Sequence, residues 1–398
     1  MSKWIFLEKQ GKVISCLMDG RRMTECRLDD RKPAFVGSIF TARVDHLVPG
    51  IQAAFLSAGE KHFYLSLREN PRLIYTKQAR PDMLTQGDEI LIQVEKDAIK
   101  TKEPVARGIL QLSGRYGVVM YPEKGIHFSK KITDKTFRSS MRQALENRFE
   151  EGVGLLIRTN AADASQEEVI SELEALQQCL RDILEKSPNR SVGSLLWQPL
   201  PAYLKTLQNL GSGVDEVITD DEGLYQELSQ TLKRYDATSS IPCRLYQDKL
   251  LSLDKCWRIS HLMEKAMEKQ VWLASGAFLV IEQTEALTAI DINTGKAESR
   301  KQSMEDFIFE INLEAAEEIM AQIRLRNLSG ILILDFINMR DKKHEEALLA
   351  RLRHLAALDP VQTAVVDITP LGLVEITRKK ETDTLLHQYR AWKESCIF

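Results

Sequence analysis

The sequence predicts a multidomain chain of mixed α+β and α/β class, with a small β-barrel in its first third and an α/β layer near its end. Three observations predict it. Residues 37 to 67, GSIFTARVDHLVPGIQAAFLSAGEKHFYLSL, are short β-forming runs broken by Pro49-Gly50 and Gly59, with no helix between them. The texture then changes to segments with apolar residues three and four apart. From residue 276 onward, strands and helices alternate, which implies an α/β layer. At roughly 150 residues per domain, 398 residues hold two to four domains.

In order, WIFLE and VISCLM read as strands around a Gly11-Lys12 turn, followed by the polar MDGRRM. DEILIQVEKDAI and RGILQLSGRYGVVMY continue the style of the barrel to residue 121. KTFRSSMRQALENRFEEG and SQEEVISELEALQQCLRDILEKSP are helical, with the short buried strand of GVGLLIRTNAADA between them. VDEVITDD reads as a strand, LYQELSQTLKRY as a helix and WRISHLMEKAMEKQVWL as a further helix. FLVIEQTEALTAIDINTG gives two strands joined by a polar turn. The long helix after it starts at the N-cap Ser303 and stops before Gly330, with Ile308, Ile311, Ala315, Ile319 and Ile323 on one face. GILILDFINM reads as a fully buried strand, KHEEALLARLRHLAAL as a helix, TAVVDIT as a strand, and GLVEITRKK closes the layer.

The composition, 43% hydrophobic and 28% charged, is that of an ordinary globular protein. A net charge of -3 excludes a blanket polycation, so nucleic-acid affinity has to come from local basic patches. The six cysteines form no C-x-x-C pair and read as reduced thiols. MSKWIFLEKQGKV has no long apolar run, and no window approaches the ~20 apolar residues of a membrane span. A soluble cytoplasmic protein is expected.

Two strands end in an unusual way. In EALTAIDINTG an apolar run finishes on Asp291, with Asn293 two residues on. In GILILDFINM the run finishes on Asp335, with Asn338 beyond it, about one helical crossover later. If these strands are neighbours, both carboxylates reach the same edge of the sheet. Two carboxylates side by side need a counter-charge. Two readings stay open at this point. Each Asp caps a turn or pairs with an Arg; or the two hold a hard divalent cation, Mg²⁺ or Mn²⁺, of the kind that serves phosphoryl chemistry.

EALTAIDINTG, the helix core NLEAAEEI with its tail IRLRNLSG, GILILDFINM and GLVEITRKK, in this order and spacing, resemble the ribonuclease E/G family. The similarity reaches back through GSIFTARVDHLVPGIQAAF and LLIRT. It implies an RNase H-like scaffold in two parts, 1–34 and 211–275, interrupted by an OB-type RNA-binding barrel, 35–121, and a 5′-sensor-like module, 122–210. A DNase I-like catalytic module, 276–380, and a C-terminal tail, 381–398, follow. The implied activity is Mg²⁺-dependent hydrolysis of single-stranded RNA to give 5′-phosphate ends, in ribosomal RNA processing or messenger RNA decay.

By the same resemblance, Asp291 and Asp335 match the magnesium ligands, and Asn293 matches the amide that orients the attacking water or the phosphate. Phe55 and Tyr64 match an aromatic platform for a base, and Lys96 and Lys102 match basic residues along the RNA path. Arg158 and Thr159 match the pocket for a 5′-monophosphate. Glu285, read as part of the Asp291 strand, and Asn338 are weaker outer-lying candidates.

The chain departs from the family pattern in three places. Asn160 to Asp163 replace a Gly-containing loop after Thr159, and Asp163 would repel phosphate if it pointed inward. Asn338 stands where the family's D-F-I-D-M has its second acid. The zinc-binding C-P-x-C is absent; the tail has one thiol, Cys396, and His387. No structural zinc is therefore expected, and any homodimer would lack a zinc link. Leu385, Leu386, Tyr389 and Trp392 read as a short terminal helix packed on its own module or on a partner chain. The alternative functions are an RNA-binding protein that keeps the fold with impaired catalysis, and a DNA nuclease or phosphatase on the same carboxylates.

Overall fold

The computed structural model describes all residues except 33, 78–82, 99–101, 209, 211–212, 236–240, 297–302 and 396–398; Cys396 lies outside the described residues. The chain divides into two compact units, one of Met1–Asp29, Gly211–Gln230 and Thr238–Phe398, the other of Asp30–Leu210 and Thr231–Ala237.

The first unit holds two sheets. A five-stranded sheet has the order Cys243–Leu245, Val214–Thr219, Ser2–Lys9, Lys12–Asp19, Arg22–Asp30. Ser2–Lys9 thus pairs in parallel with a strand from far along the chain, and antiparallel with its own hairpin partner. The terminal helix Leu385–Ser395 buries Leu385 and Trp392 among Ile5, Leu7, Ile14 and Met18 of this sheet, not in the core of the α/β layer that precedes it in sequence. The segment WRISHLMEKAMEKQVWL is not one helix. It breaks at Arg258, which is left-handed (φ 55°), into Leu253–Trp257 and Ile259–Lys265, and its end, Gln270–Trp272, is a strand.

That strand starts the six-stranded sheet of the α/β layer, in the order Gln270–Trp272, Phe278–Gln283, Leu287–Asn293, Gly330–Asp335, Val374–Arg378, Thr363–Ile368. The layer therefore begins before residue 276. Its core joins Leu279, Ile281, Ile290, Ile292, Leu332 and Leu334 to Ile311, Ala315, Ile319 and Ile323 of the helix Met304–Leu325 and to Leu348 and Leu352 of Lys342–Ala357. Ser303 caps the long helix by accepting from the Asp306 N–H. The helix stops before Gly330, as expected; Asn327 takes the left-handed position at its end (φ 50°), Gly330 also has a positive φ (85°), and Leu328 N donates to Ile323 O at 2.9 Å. Gly330–Asp335 is not fully buried. Leu332 and Leu334 face the helices, while Ile331 is 50% exposed, because the sheet carries its helices on one face.

The second unit contains a closed barrel of Ile39–Val48, Ala53–Ala58, Lys61–Ser66, Val105–Arg107 and Glu89–Lys96, shut by pairing of the first strand with the last. Phe40, Val44, Leu56, Phe63, Leu65, Ile90 and Ile92 fill its interior. Leu110–Ser113 and Gly117–Tyr121, expected to continue the barrel, instead begin a four-stranded sheet in the order Leu110–Ser113, Gly117–Tyr121, Gly154–Ile157, Ile126–Phe128. Gln166–Lys186, opened by a reciprocal capping box of Ser165 and Glu168, packs Val169, Leu173 and Leu180 in that sheet's core.

Candidate active site

The parallel pairing of Leu287–Asn293 with Gly330–Asp335 runs from Leu287↔Ile331 to Asp291↔Asp335. The two carboxylates therefore stand directly opposite each other where the pairing ends, on strands about 4.8 Å apart. Both are exposed, and both lie on the sheet face opposite the helices, since Ile290, Ile292 and Leu334 beside them point into the core. Asn293, two residues along and on the same face, donates from Nδ2 to Asp291 Oδ2 at 2.7 Å. That bond fixes the orientation of one carboxylate. Neither Asp291 nor Asp335 is ion-paired to a Lys, Arg or His among the described residues.

Two residues that the sequence did not single out hold the chain beyond Asp335. Asn312, fully buried in the long helix, donates to Ile337 O at 2.8 Å and accepts from Ile337 N at 3.2 Å. Glu305, in the first turn of that helix, accepts from Arg340 N at 2.7 Å and Asp341 N at 3.0 Å. The N–H groups of Asp341 and Arg340 hold its carboxyl below the usual range. Asn338 lies between these two clamps, exposed; a Cβ at Gly372 would come to 3.5 Å from its Oδ1. Glu285 lies elsewhere. It is in the turn before Leu287–Asn293 rather than in the strand, and the strand from Leu287 to Asp291 alone rises about 13 Å.

No group of three or more His, Cys, Asp or Glu side chains gathers to hold a metal among the described residues. Two carboxylates with an amide beside them match a different donor set, that of an ion held by one or two carboxylates and its own waters, as Mg²⁺ is.

In the second unit, Phe55 and Tyr64 are cross-strand partners with ring centroids 5.8 Å apart, edge to face. Both are half-buried and alternate with interior residues, so they lie on the outer wall of the barrel. The row continues on both sides: His46 is opposite Phe55 and stacks on it at 4.8 Å, Val105 is opposite Tyr64, and Lys96 is opposite Val105. His46 escaped sequence reading because its place depends on a shifted register between distant strands. Lys102 is exposed beyond the strand that ends at Lys96.

Arg158 and Thr159 follow the strand Gly154–Ile157 and open the short 3₁₀ turn Thr159–Asp163. Arg158 Nη1 donates to Gly114 O at 2.6 Å, and Thr159 Oγ1 is 3.2 Å from Ser129 Oγ. Ala161 is buried in the turn and Asp163 is exposed.

A family model described as the ribonuclease E/G family matches residues 111–381. The chain belongs to the ribonuclease E/G family. Ribonuclease E of Synechocystis sp. is 31% identical over 369 residues, 91% of this chain and 54% of that protein. Ribonuclease G of Salmonella typhimurium is 28% identical over 93% of this chain and 78% of its own length. Ribonuclease G of Haemophilus influenzae is 30% identical over 89% and 74%. The chain thus spans about half the length of the cyanobacterial ribonuclease E. No helix among the described residues of this ribonuclease E/G family member is long and apolar enough to cross a membrane.

Proposed function

We propose that the chain is a Mg²⁺-dependent endoribonuclease that hydrolyses single-stranded RNA, leaves 5′-phosphate ends, and acts in the cytoplasm in ribosomal RNA processing or messenger RNA decay. The observation that carries this reading is the in-register pair Asp291 and Asp335 with the Asn293 amide on Asp291. Family membership supports RNA as the substrate, and the RNase H-like, OB-type, 5′-sensor and DNase I-like partition belongs to the same reading.

Asp291 and Asp335 would hold the magnesium ion. When bound, it supplies a Lewis acid that activates water and neutralises charge building on the phosphate. The chain's own groups do the rest. Asn293 keeps the Asp291 carboxylate in one rotamer through Nδ2, and its Oδ1 is the acceptor that would orient a water proton beside the phosphate. Phe55, Tyr64 and His46 offer aromatic faces to a base, and Lys96 and Lys102 offer charge to the backbone. Arg158 and Thr159 supply a guanidinium and a hydroxyl to a 5′-monophosphate. Any homodimer is held without zinc.

The test is incubation with 5′-monophosphorylated, A/U-rich single-stranded RNA, with and without Mg²⁺, beside Asp291→Asn. Cleavage by the wild-type chain with Mg²⁺ alone is expected. Equal cleavage in chelator, or by Asp291→Asn, overturns the reading. Because Asn338 stands in the family's second acidic position, RNA binding without any cleavage would identify the impaired RNA-binding protein instead.

A further inference from the structure

The face of the six-stranded sheet that carries Asp291 and Asp335 also carries an aromatic pair without a place in the core. Trp272 is opposite Phe278, and Phe278 is opposite Asn293. The two rings lie 5.1 Å apart at 52°, and the Trp272 residue is 57% exposed. Phe278 is the diagonal cross-strand neighbour of Asp291, a Cα separation of about 7–8 Å. The glycine of DINTG makes room for it: Gly295 is left-handed (φ 54°), and a Cβ there would come to 3.0 Å from Phe278 Cδ1 and 2.6 Å from Gly276 O.

We infer that Trp272 and Phe278 form a base-stacking step beside the scissile phosphate, with the nucleobase next to the cleaved bond lying on the Trp272 indole. This rests on the proposed RNA cleavage by Asp291 and Asp335. An indole left more than half exposed is an incomplete stack, and a base completes it, since every base has a π-face. The surroundings suit a nucleotide. Exposed Lys296 follows Gly295, and its backbone N–H is bonded to Gly276 O at 3.0 Å, so a cationic residue follows the glycine that adjoins Phe278. On the same face, exposed Gln270 and half-buried Val280 come next along the two strands, and the exposed Lys269–Glu282 ion pair lies beyond them. A ring pair of this kind offers stacking rather than hydrogen bonds that read base identity.

The experiment maps a cleavage site with the wild-type chain, then places one abasic nucleotide at successive positions around it. Binding of these RNAs is measured on full-length Asp291→Asn, with and without Trp272→Ala or Trp272→Phe. One abasic position adjoining the cleaved bond is expected to weaken binding about five- to a hundredfold. Trp272→Ala should erase that position's penalty and Trp272→Phe should restore most of it, with the other positions unchanged. A penalty that survives Trp272→Ala in a chain that cleaves RNA overturns the base step and leaves the cleavage reading intact. Failure of the wild-type chain to cleave removes the reading itself and the step with it. A fall in sedimenting mass on Trp272→Ala would show that a second copy covers the indole, which also overturns it.

Discussion

Asn312 closes both ends of its buried amide on the backbone of Ile337, two residues after Asp335. The helix is thereby tied to the chain that leaves the Asp335 strand. Asn312→Ala would remove both partners of the half-buried Ile337 N–H and C=O, at a cost of up to roughly 1–3 kcal/mol for each group that water does not reach. Lower stability in urea together with a lower kcat is expected, because Asp335 loses its support. Lower stability with unchanged kcat would reduce the amide to scaffolding.

Asp291→Asn and Asp335→Asn should each abolish cleavage while the chain stays folded. Both carboxylates are exposed on the sheet face, so the isosteric amide disturbs no core contact. Loss of an outer partner to a metal ligand typically costs 10–100-fold, so loss of the ligand itself should cost more than about a hundredfold. RNA affinity, measured by anisotropy, should stay within about twofold, since the backbone charges that attract RNA are elsewhere. Near wild-type turnover of Asp335→Asn in Mg²⁺ would show that the pair is not the metal site.

What the sequence reveals and what it hides divides along the range of the interactions. The two strand-end Asp residues are legible because an apolar run that stops on a carboxylate is a local signal. Their register across the sheet comes from pairing, and only the pairing shows it. Ile331 and Ile333 made the strand read as buried on both faces, though one face has no helix over it. Arg258 gives no sign that it will take a left-handed conformation and break a helix whose periodicity runs on. Asn312 and Glu305 looked like ordinary polar helix positions, because their partners lie 25 and 35 or more residues away. Arg378, quoted within a recognisable motif, is a buried partner of Asp359 at 2.8 Å, again a contact with no local signature.

Glu305 sets an acid limit on the same clamp. Its folded-state carboxyl is held below the usual range by the N–H groups of Asp341 and Arg340. A depressed carboxyl contributes stability that is complete above the ordinary glutamate range and is lost as pH falls through the folded value. Melting temperature followed downward from about pH 6 should therefore fall less steeply in Glu305→Gln than in the wild-type chain. Parallel curves for the two would show that Glu305 carries no linked proton.

On the barrel wall, Phe55→Ala should weaken RNA binding by roughly 1–3 kcal/mol and raise KM more than it lowers kcat. His46→Ala should act in the same direction and more weakly, since it removes the ring that supports Phe55 at 4.8 Å and leaves Phe55 itself. Lys96→Ala should lower the slope of log K against log salt by about one, with the base platform intact. Unchanged KM for Phe55→Ala would place the RNA on another face of the barrel.

The last prediction concerns the 5′ end. Arg158 uses Nη1 on Gly114 O, which anchors the guanidinium beside the strand end, and a planar fork has further N–H groups to give. Thr159 Oγ1, 3.2 Å from Ser129 Oγ, adds a hydroxyl, and Lys130 and Lys131 are exposed just after Ser129. A terminal phosphate would meet donors on these elements, while Asp163, at the end of the turn, sets a charge against it. If donors outweigh that charge, a 5′-monophosphorylated RNA is cut faster than its 5′-hydroxyl or 5′-triphosphate counterpart. Arg158→Ala should then erase the difference while leaving the 5′-hydroxyl rate unchanged, and Asp163→Asn should widen it. A charge-assisted bond contributes about 1.5–3 kcal/mol, so the wild-type preference should be about ten- to a hundredfold in kcat/KM. Equal rates on all three ends in the wild-type chain, and in Asp163→Asn as well, would show that the pocket no longer reads the RNA terminus.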